Sequence, residues 1–177
     1  MPTRTSPKRM KLSSRARYAL RCMIAISRLS SDSKPVSLER VAQSTRISRR
    51  YLEQLAIALK NASLLRGVSG KGGGYLLARP AGEIKVGQII EAGIGPINIV
   101  DCVRHPELCL KVEVCECRLL YVLINHRITQ VLNEFSLADL VDKDWLKKIS
   151  RELDPLELHA PELQGSPGRS PCPDGRD

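Results

Sequence analysis

Four of the chain's six cysteines fall within a stretch of sixteen residues in its second half. They are Cys102, Cys109, Cys115 and Cys117, with the spacing C-x6-C-x5-C-x-C. Thiolates are soft ligands, so three or four of them on one segment suit an iron-sulfur cluster or a zinc ion. Because disulfides are disfavoured in the cytoplasm, this clustering indicates a metal or redox role more than a disulfide-stabilised fold.

The spacing of these cysteines bears on the metal that they would bind. Zinc sites usually take their ligands from C-x2-C pairs, and the sequence contains no such pair. Wider and uneven spacings favour the bulkier iron-sulfur cluster, and we favour a 2Fe-2S over a 4Fe-4S cluster. Zinc binding and thiol-based redox sensing remain alternatives. His105 and His126 could each supply a nitrogen ligand, but such residues are more often ordinary surface histidines.

The residues before this loop have the pattern of a helix-turn-helix. Ser37 is placed to cap a short helix that runs through Gln43, and residues 44–46 then make a polar turn. Ser48 is placed to cap a second helix that runs to about Asn61. A buried face of this second helix is predicted by apolar residues that recur at helical spacing, namely Leu52, Leu55, Ala56 and Leu59.

The second helix and the segment after it carry side chains suited to reading DNA. Base edges in a major groove are reached from the first turns of a recognition helix, which here hold Ser48, Arg49, Arg50, Tyr51, Glu53 and Gln54. Two short extended segments follow between Arg66 and Ala78, around a glycine-rich tip, as in the wing of a winged helix. At this tip we predict that Lys71, Gly72 and Gly73 contact a phosphate or the minor groove.

Two other interpretations of this region must be weighed against DNA binding. Two helices of this length also occur in bundles that bind nothing. The glycine-rich loop could suggest a nucleotide site, but the strand-loop-helix order and the Gly-Lys-Ser/Thr sequence of such sites are missing. Charge favours DNA, because residues 1–80 hold 17 basic and 3 acidic side chains, whereas residues 81–177 hold 11 and 16. A polyanionic partner, double-stranded DNA, explains that asymmetry.

The basic half also contains a predicted first helix, from residue 13 or 14 to about residue 30. Arg15 and Arg17 lie near its start, where we expect them to contact the phosphate backbone, and Cys22 is expected in the core. The sequence has no run of about 18 apolar residues and no signal peptide. It therefore predicts a cytoplasmic protein without membrane contact and without a small-molecule substrate.

The second half of the chain is predicted to be helical on both sides of the cysteine loop. A short helix over Val86–Glu91 ends at residues 93–96, and a long helix is expected from Arg118 to Phe135. The apolar seam of the long helix consists of Leu120, Ile124, Ile128, Val131 and Phe135. Because a second apolar row lies beside this seam, we expect it to form a homodimer interface. Packing of the seam on the first helix is the alternative.

These elements predict a mostly α (α+β) fold with five parts. A flexible basic leader spans residues 1–11, a winged helix-turn-helix DNA-binding domain 12–96, and the cysteine-rich loop 97–117. A dimerisation helix and a short terminal helix, around Trp145, occupy residues 118–150. Five prolines follow in the last 27 residues, so residues 151–177, with Cys172, are expected to form a disordered tail.

Three stretches give the chain a family resemblance. They are Lys11-Leu12-Ser13 with Arg17-Tyr18-Ala19-Leu20-Arg21, residues 47–55 (ISRRYLEQL) and residues 70–80 (GKGGGYLLARP). Over about residues 10–145 the chain resembles the Rrf family of winged-helix transcription regulators, with its IscR-like and NsrR-like groups. The resemblance implies a homodimer crossed through the long helix, a palindromic operator, and a cluster held by Cys102, Cys109 and Cys115.

The chain also departs from the pattern of that family. The family's loop usually reads C-x5-C-x5-C, whereas one residue is inserted here between Cys102 and Cys109. Related regulators take a fourth ligand from a histidine or an acid, and these positions hold Arg118 and Arg17. Cys117 therefore becomes the candidate fourth ligand.

The sequence as a whole predicts a regulator and not an enzyme. The hypothesis is a dimeric repressor that senses iron-sulfur status, oxygen or nitric oxide. A regulator of the same fold whose cysteines bind zinc or undergo thiol oxidation is the alternative. An iron-sulfur carrier or scaffold without a DNA target is less consistent with the sequence, because it leaves the basic half of the chain without a role.

Overall fold

Residues 12–30, 34–108 and 115–153, which the computed structural model describes, form seven α-helices, one two-stranded sheet and three short 3-10 turns. The predicted leader, Cys109 and nearly all of the predicted tail lie outside these ranges. Within them, no helix is both long and apolar enough to cross a membrane. The predicted fold class, a mostly helical winged helix-turn-helix with a two-stranded wing, is confirmed.

Serine side chains begin the first three helices, α1 (Ser14–Leu29), α2 (Leu38–Thr45) and α3 (Arg49–Asn61). The hydroxyl oxygens of Ser13, Ser37 and Ser48 each accept a hydrogen bond from the backbone N–H three residues later. Such a cap satisfies a donor that would otherwise lack a partner at the helix end, and it contributes about 1 kcal/mol. The three predicted helix starts are therefore confirmed.

The turn between α2 and α3 is shorter than predicted, because α2 continues beyond Gln43 to Thr45. Thr45 is buried, and its hydroxyl donates a 2.7 Å hydrogen bond to the carbonyl of Val41. Because its hydroxyl is hydrogen-bonded within the helix, this polar residue can be buried there and extends α2 by its last turn. Arg46 then ends α2 in the left-handed region, with φ 58°.

The predicted buried face of α3 lies in the core of the winged domain. Its four residues, Leu52, Leu55, Ala56 and Leu59, are all fully buried. They share one apolar cluster with Met23 and Ile26 of α1 and with Leu64. Cys22 is also fully buried in this cluster, as predicted. Burial of each large apolar side chain contributes about 1.5–3 kcal/mol, so this face holds α3 in place.

The wing is a two-stranded antiparallel sheet of β1 (Leu65–Val68) and β2 (Gly74–Leu77), with Val68 opposite Gly74. This is the position that the sequence predicts. Val36, just before α2, adds an antiparallel bridge to Tyr75 through two hydrogen bonds of 2.9 Å. Gly74 is required for this approach, because a Cβ there would overlap the carbonyl oxygen of Val36.

The helix after the wing, α4 (Val86–Ile94), extends three residues beyond the predicted end at Glu91. Gly95 ends it with φ 84°, a conformation that favours glycine. A Cβ built at Gly93 would lie 3.2 Å from the Cβ of Ala19, so α4 packs closely on α1. Helix α4 is thus packed against α1 before the cysteine loop begins.

Three helices follow the loop, α5 (Glu116–Glu134), α6 (Leu137–Val141) and α7 (Lys143–Leu153). Their boundaries differ from the prediction in four ways. Helix α5 begins two residues early, so Cys117 lies in its first turn and not in the loop, and it ends before Phe135. The single short helix expected near Trp145 is two helices. Helix α7 also continues past residue 151, where the tail was expected to begin.

Local interactions explain the two C-terminal helices. The backbone N–H and the hydroxyl of Ser136 donate to the Asp139 carboxylate at 2.8 and 2.7 Å, and they lower the pKa of that carboxyl. This cap starts α6 as a helix of its own. In α7, Trp145, Ile149 and Leu153 recur every four residues and form a half-buried face, which continues the helix to its end.

The segment after α5 is attached to the winged domain by backbone pairing. The N–H of Val86 donates to the carbonyl of Phe135 at 3.0 Å, and the N–H of Leu137 donates to the carbonyl of Ile84 at 2.8 Å. The side chain of Leu137 is fully buried in the same apolar cluster as the buried face of α3. Helix α6 therefore shares the core of the winged domain.

Replacement of Leu137 by alanine should destabilise the whole winged domain. Truncation of a fully buried leucine costs about 2–5 kcal/mol, from lost burial and from the cavity left behind. Urea unfolding followed by far-UV circular dichroism measures this as a lower midpoint. Ile57→Ala is the matched control, since Ile57 is 59% exposed on α3. Truncation of the exposed Ile57 side chain should lower the free energy of unfolding by no more than about 0.5 kcal/mol. Equal midpoints for the two variants would contradict a shared core.

Candidate nucleic-acid interface and cysteine loop

The start of α3 presents a set of exposed polar side chains. They are Arg49, Arg50, Glu53 and Gln54, on the first two turns of the helix. Ser48 comes directly before them, and its hydroxyl is engaged as the helix cap. Because the opposite face of α3 is buried, these side chains point away from the core.

The two arginines at the start of α3 differ in their partners. Arg49 Nε donates to Glu53 Oε1 at 3.1 Å, and Arg49 Nη1 lies 3.9 Å from Glu39 Oε2. These exposed pairs contribute little to stability, but they hold Arg49 between two carboxylates. Arg50 is exposed and forms no ion pair within the described residues. Arg50 is therefore the more available cation for a phosphate or a base edge.

Tyr51 contributes to the packing of α1 against α3. It is half-buried, and its ring meets the ring of Tyr18 edge-on, with centroids 5.6 Å apart and planes at 88°. Edge-to-face contacts of this kind are favourable for aromatic rings. Tyr51 thus has a structural role in the domain, and its contact with DNA stays a prediction.

The tip of the wing is exposed and built from glycines. Gly70 and Gly72 have φ values of 103° and 81°, and the N–H of Gly73 donates to the carbonyl of Gly70 at 2.9 Å. A Cβ at Gly73 would overlap the carbonyl oxygen of Val68, so this tight turn needs glycine. Lys71 is exposed at the tip. The turn therefore presents a cation and bare backbone at the end of the hairpin, where contact with DNA is predicted.

The arginines of α1 have partners within the chain. Arg15 Nε donates to the carbonyl of Gly93, which joins α1 to the end of α4, and Arg17 Nη2 donates to a serine hydroxyl one turn away at 3.1 Å. Arg21, for which the sequence predicted no contact, donates to the carbonyl of Thr45 at 3.0 Å. Phosphate contacts of Arg15 and Arg17 remain predictions, and the structure adds a positioning role for Arg15 and Arg21.

The described cysteines of the loop are free thiols. Cys102 is half-buried in a 3-10 turn, Cys115 is half-buried at the N-cap of α5, and Cys117 is exposed. Cys109 and Cys172 lie outside the described residues. Within the described ranges, no three Cys, His, Asp or Glu side chains converge as a metal-binding group. The donor chemistry of the loop fits an iron-sulfur cluster, but the described residues alone do not assemble the site.

Two titratable side chains near the loop, His105 and Glu107, pair with each other. His105 Nδ1 lies 3.0 Å from Glu107 Oε1. A backbone hydrogen bond lowers the pKa of Glu107, and the contact with His105 lowers it further. His126 is exposed on α5. Burial raises the pKa of the Cys22 thiol to about 12, so this thiol stays protonated.

Two hydrogen bonds hold the cysteine loop against α5. Arg118 Nε donates to the carbonyl of Cys102 at 3.4 Å, and the N–H of Ile99 donates to Asn125 Oδ1 at 3.1 Å. Arg118 stands where the family resemblance places a histidine ligand, and here it binds the backbone of the loop. A displacement of the loop therefore acts directly on the first turns of α5.

Helix α5 has a long exposed apolar face. Of the predicted seam, Leu120, Ile124 and Val131 are exposed and Ile128 is half-buried. The neighbouring apolar row is also open, with Leu119 75% exposed and Leu123 52% exposed.

Phe135 does not belong to this exposed face. It lies beyond the end of α5, and its ring packs edge-on against Trp145 with centroids 5.4 Å apart. It also joins a small apolar cluster of this same chain with Val86 and Ile90. The helix ends before Phe135, so the periodicity that placed it in the seam no longer applies there.

Comparison with known proteins identifies the family. The Rrf2 family, described as iron-dependent transcriptional regulators, matches residues 12–143. The chain belongs to the Rrf2 family. The HTH-type transcriptional regulator IscR of Cronobacter sakazakii is 35% identical over 141 residues, which cover 80% of this chain and 86% of that protein.

Solved structures of Rrf2 regulators share this fold. T. potens IscR superposes with a TM-score of 0.60 at 29% identity, over 81% of this chain and 90% of that one. The oxidised form of Staphylococcus aureus CymR gives a TM-score of 0.59 at 32% identity, over 75% of this chain and 97% of that one. Membership of the Rrf2 family establishes the protein as a DNA-binding transcription regulator.

Arg50 is expected to make a specific contact with the operator. Its replacement by alanine removes an uncommitted guanidinium and should cost about 1–3 kcal/mol of discrimination at one base. Fluorescence anisotropy, with an operator obtained by in vitro selection and at one fixed salt concentration, measures the loss. Arg151→Ala removes the same charge from the last turn of α7 and serves as control. Equal losses in the two variants would contradict a specific role for Arg50.

Proposed function

We propose that this Rrf2 regulator is a homodimeric, cytoplasmic repressor that binds a palindromic operator and senses iron-sulfur status, oxygen or nitric oxide. The sensing element is the cysteine loop. The observation that carries the proposal is the position of this loop between the winged domain and α5, to which two hydrogen bonds attach it. Chemistry at the cysteines is thereby placed where it affects the relative position of the two parts.

The proposed ligands of a 2Fe-2S cluster are Cys102, Cys109 and Cys115. Soft thiolate donors and the iron-dependent character of the Rrf2 family support this set. When bound, such a cluster supplies a redox-active centre that reacts with oxygen or nitric oxide. Cys115 is the N-cap residue of α5 and Cys117 lies in the first turn of that helix. Cys117 is the candidate fourth ligand.

The chain's own contacts provide a route from the cysteines to α5. Arg118 holds the backbone of Cys102, and Asn125 holds the backbone of Ile99. A constraint that draws Cys102 toward Cys115 acts on both hydrogen bonds. Each of these hydrogen bonds contributes about 0.5–1.5 kcal/mol. The two together therefore match the coupling of about 1–3 kcal/mol that an allosteric regulator needs.

The exposed face of α5 is the proposed dimer interface. Contiguous apolar surface of this kind marks an interaction site, and a second copy of α5 crossing the first would cover it. A twofold dimer presents two α3 helices to half-sites about 34 Å apart along the DNA. The same symmetry predicts a palindromic operator.

A thiol-based redox sensor is the second candidate. The related S. aureus CymR has been crystallised in an oxidised form, and Cys102, Cys115 and Cys117 are free thiols at accessible positions. A disulfide between two loop cysteines would act on the same hydrogen bonds to α5. Zinc is less favoured, because the loop lacks the C-x2-C pairs of most zinc sites.

Removal of one loop cysteine tests the ligand assignment. Cys109→Ala prepared without oxygen should contain neither iron nor sulfide, because the remaining thiolates are too few to hold iron against exchange. Its operator affinity should equal that of the cluster-free parent. Iron and sulfide analysis, visible absorption and fluorescence anisotropy measure these properties. Cys22→Ala is the control, since Cys22 is buried in the core. Full cluster occupancy in Cys109→Ala would overturn the assignment.

The parent protein distinguishes the two sensing chemistries in the same assay. A parent that takes up no iron on anaerobic reconstitution, yet changes operator affinity at least about fivefold on oxidation and recovers with a thiol reductant, is a thiol sensor. Identical operator affinity in every cluster and oxidation state would exclude sensing through this loop.

A charge on the exposed face of α5 should separate the dimer. Leu120→Glu would bury a carboxylate without a partner at the interface, and we expect a monomer with reduced operator affinity. Leu120 is 54% exposed in the single chain, so the substitution spares the chain's own core. Sedimentation velocity measures the mass. Ile57→Glu is the matched control, at an equally exposed apolar residue of α3, and should remain dimeric. A stable Leu120→Glu dimer would remove this face from the interface.

A further inference from the structure

A pocket of about 390 Å³ opens where four parts of the chain meet. Its apolar wall consists of Ala62 at the end of α3, Ala92 of α4, and Pro96 before the cysteine loop. Its polar groups are Arg79 after β2, Gln88 and Glu91 of α4, and Arg104 of the cysteine loop. The volume lies within the range of about 300–1,000 Å³ that small-molecule sites occupy.

Arg79 carries a donor that the rest of the described chain leaves unpaired. Its Nη2 donates to Gln88 Oε1 at 3.2 Å, whereas its Nε is buried and has no hydrogen-bond partner among the described residues. Gln88 Oε1 also accepts from the N–H of Lys85 at 3.1 Å. The acceptor beside Arg79 is thus a neutral oxygen that two donors already share. The guanidinium of Arg79 therefore has no carboxylate partner among the described residues, and its charge is available to an anion in the pocket.

The pocket has one unbalanced positive charge. Arg79 and Arg104 contribute two guanidinium groups and Glu91 contributes one carboxylate. None of these three side chains forms an ion pair within the described ranges. Guanidinium groups bind planar oxyanions through parallel N–H donors. A single anionic group would balance the charge and accept hydrogen bonds from the guanidinium groups.

We infer that this pocket binds a small organic anion with one carboxylate or phosphate group on a short apolar body. The oxyanion lies between Arg79 and Arg104, and the apolar body lies against the wall formed by the two alanines and the proline. Glu91 disfavours a ligand with a second negative charge on its side of the pocket. It accepts a hydrogen bond from an ammonium group where the ligand carries one.

A DNA phosphate does not fit as the occupant while α3 reads a groove. The pocket includes Ala62, the C-cap of α3, whereas the proposed base contacts begin at Arg50. Because a helix rises 1.5 Å per residue, these two points are about 18 Å apart along its axis. The anion site is therefore separate from the reading surface.

An occupied pocket would tie the cysteine loop to the winged domain. Arg104 follows Cys102 by two residues, and Arg79 and Gln88 belong to the winged domain and α4. If the loop senses as proposed above, ligand binding and cysteine chemistry affect one another reciprocally. Binding itself does not depend on that sensing role.

Isothermal titration calorimetry on the full chain tests the site, without DNA or iron and at an ionic strength kept constant with chloride. The probes are propionate, methyl phosphate and L-alanine, which vary the anionic group and add an ammonium. We expect saturable binding of at least one probe, one molecule per chain. Arg104→Gln should weaken it at least about tenfold, the worth of a charge-assisted hydrogen bond. Arg104 is exposed, so this variant keeps the fold.

Arg151→Gln is the matched control, since it removes the same charge from an exposed position on α7. Unchanged binding in this variant, with the loss confined to Arg104→Gln and Arg79→Gln, supports the site. Absence of saturable binding up to about 10 mM, ten times the Kd of a millimolar ligand, would overturn it. An equal loss in Arg151→Gln would also overturn it, because the anions would then respond only to net charge.

Discussion

The backbone pairing of residues 84–86 with residues 135–137 determines where the C-terminal half of the chain lies. Its two hydrogen bonds, of 2.8 and 3.0 Å, return the chain to the winged domain directly after α5. Leu137 then enters the core that also holds α3. The chain leaves α4 at Gly95 for the cysteine loop and must come back to the start of α4. Helix α5 is therefore anchored at its C-terminal end.

Anchoring at one end explains why α5 is open along its remainder. Its 19 residues make it about 28 Å long. Contacts with the winged domain concentrate in its last turns. Leu132 packs near Val86. Asn133 lies so close to Gly87 that a Cβ at position 87 would overlap the Asn133 side chain. The first turns carry the exposed leucines and Cys117. Dimer formation and cysteine chemistry would thus act on the same, less covered end of one helix.

Patterns contained within a few neighbouring residues could be predicted from the sequence, and contacts between distant residues could not. The serine caps, the buried face of α3 and the glycines of the wing belong to the first class, and the structure has them where they are predicted. The bond from Arg15 to Gly93 and the pairing of Ile84 with Leu137 belong to the second class. No periodicity encodes such pairings, so the attachment of α6 and the pocket around Arg79 became visible only with the fold.

The weak attachment of residues 99–104 bears on the sensing role proposed for the cysteine loop. Toward α5 this segment has two hydrogen bonds, of 3.1 and 3.4 Å, and none of its residues is fully buried. Such bonds contribute about 0.5–1.5 kcal/mol each. A disulfide contributes about 2–4 kcal/mol, and metal ligation by thiolates contributes more. Chemistry at the cysteines therefore outweighs the contacts that hold the loop, and the loop must follow it. A loop held by many buried side chains would resist the same signal, so the sparse packing at this position agrees with the proposed sensing role.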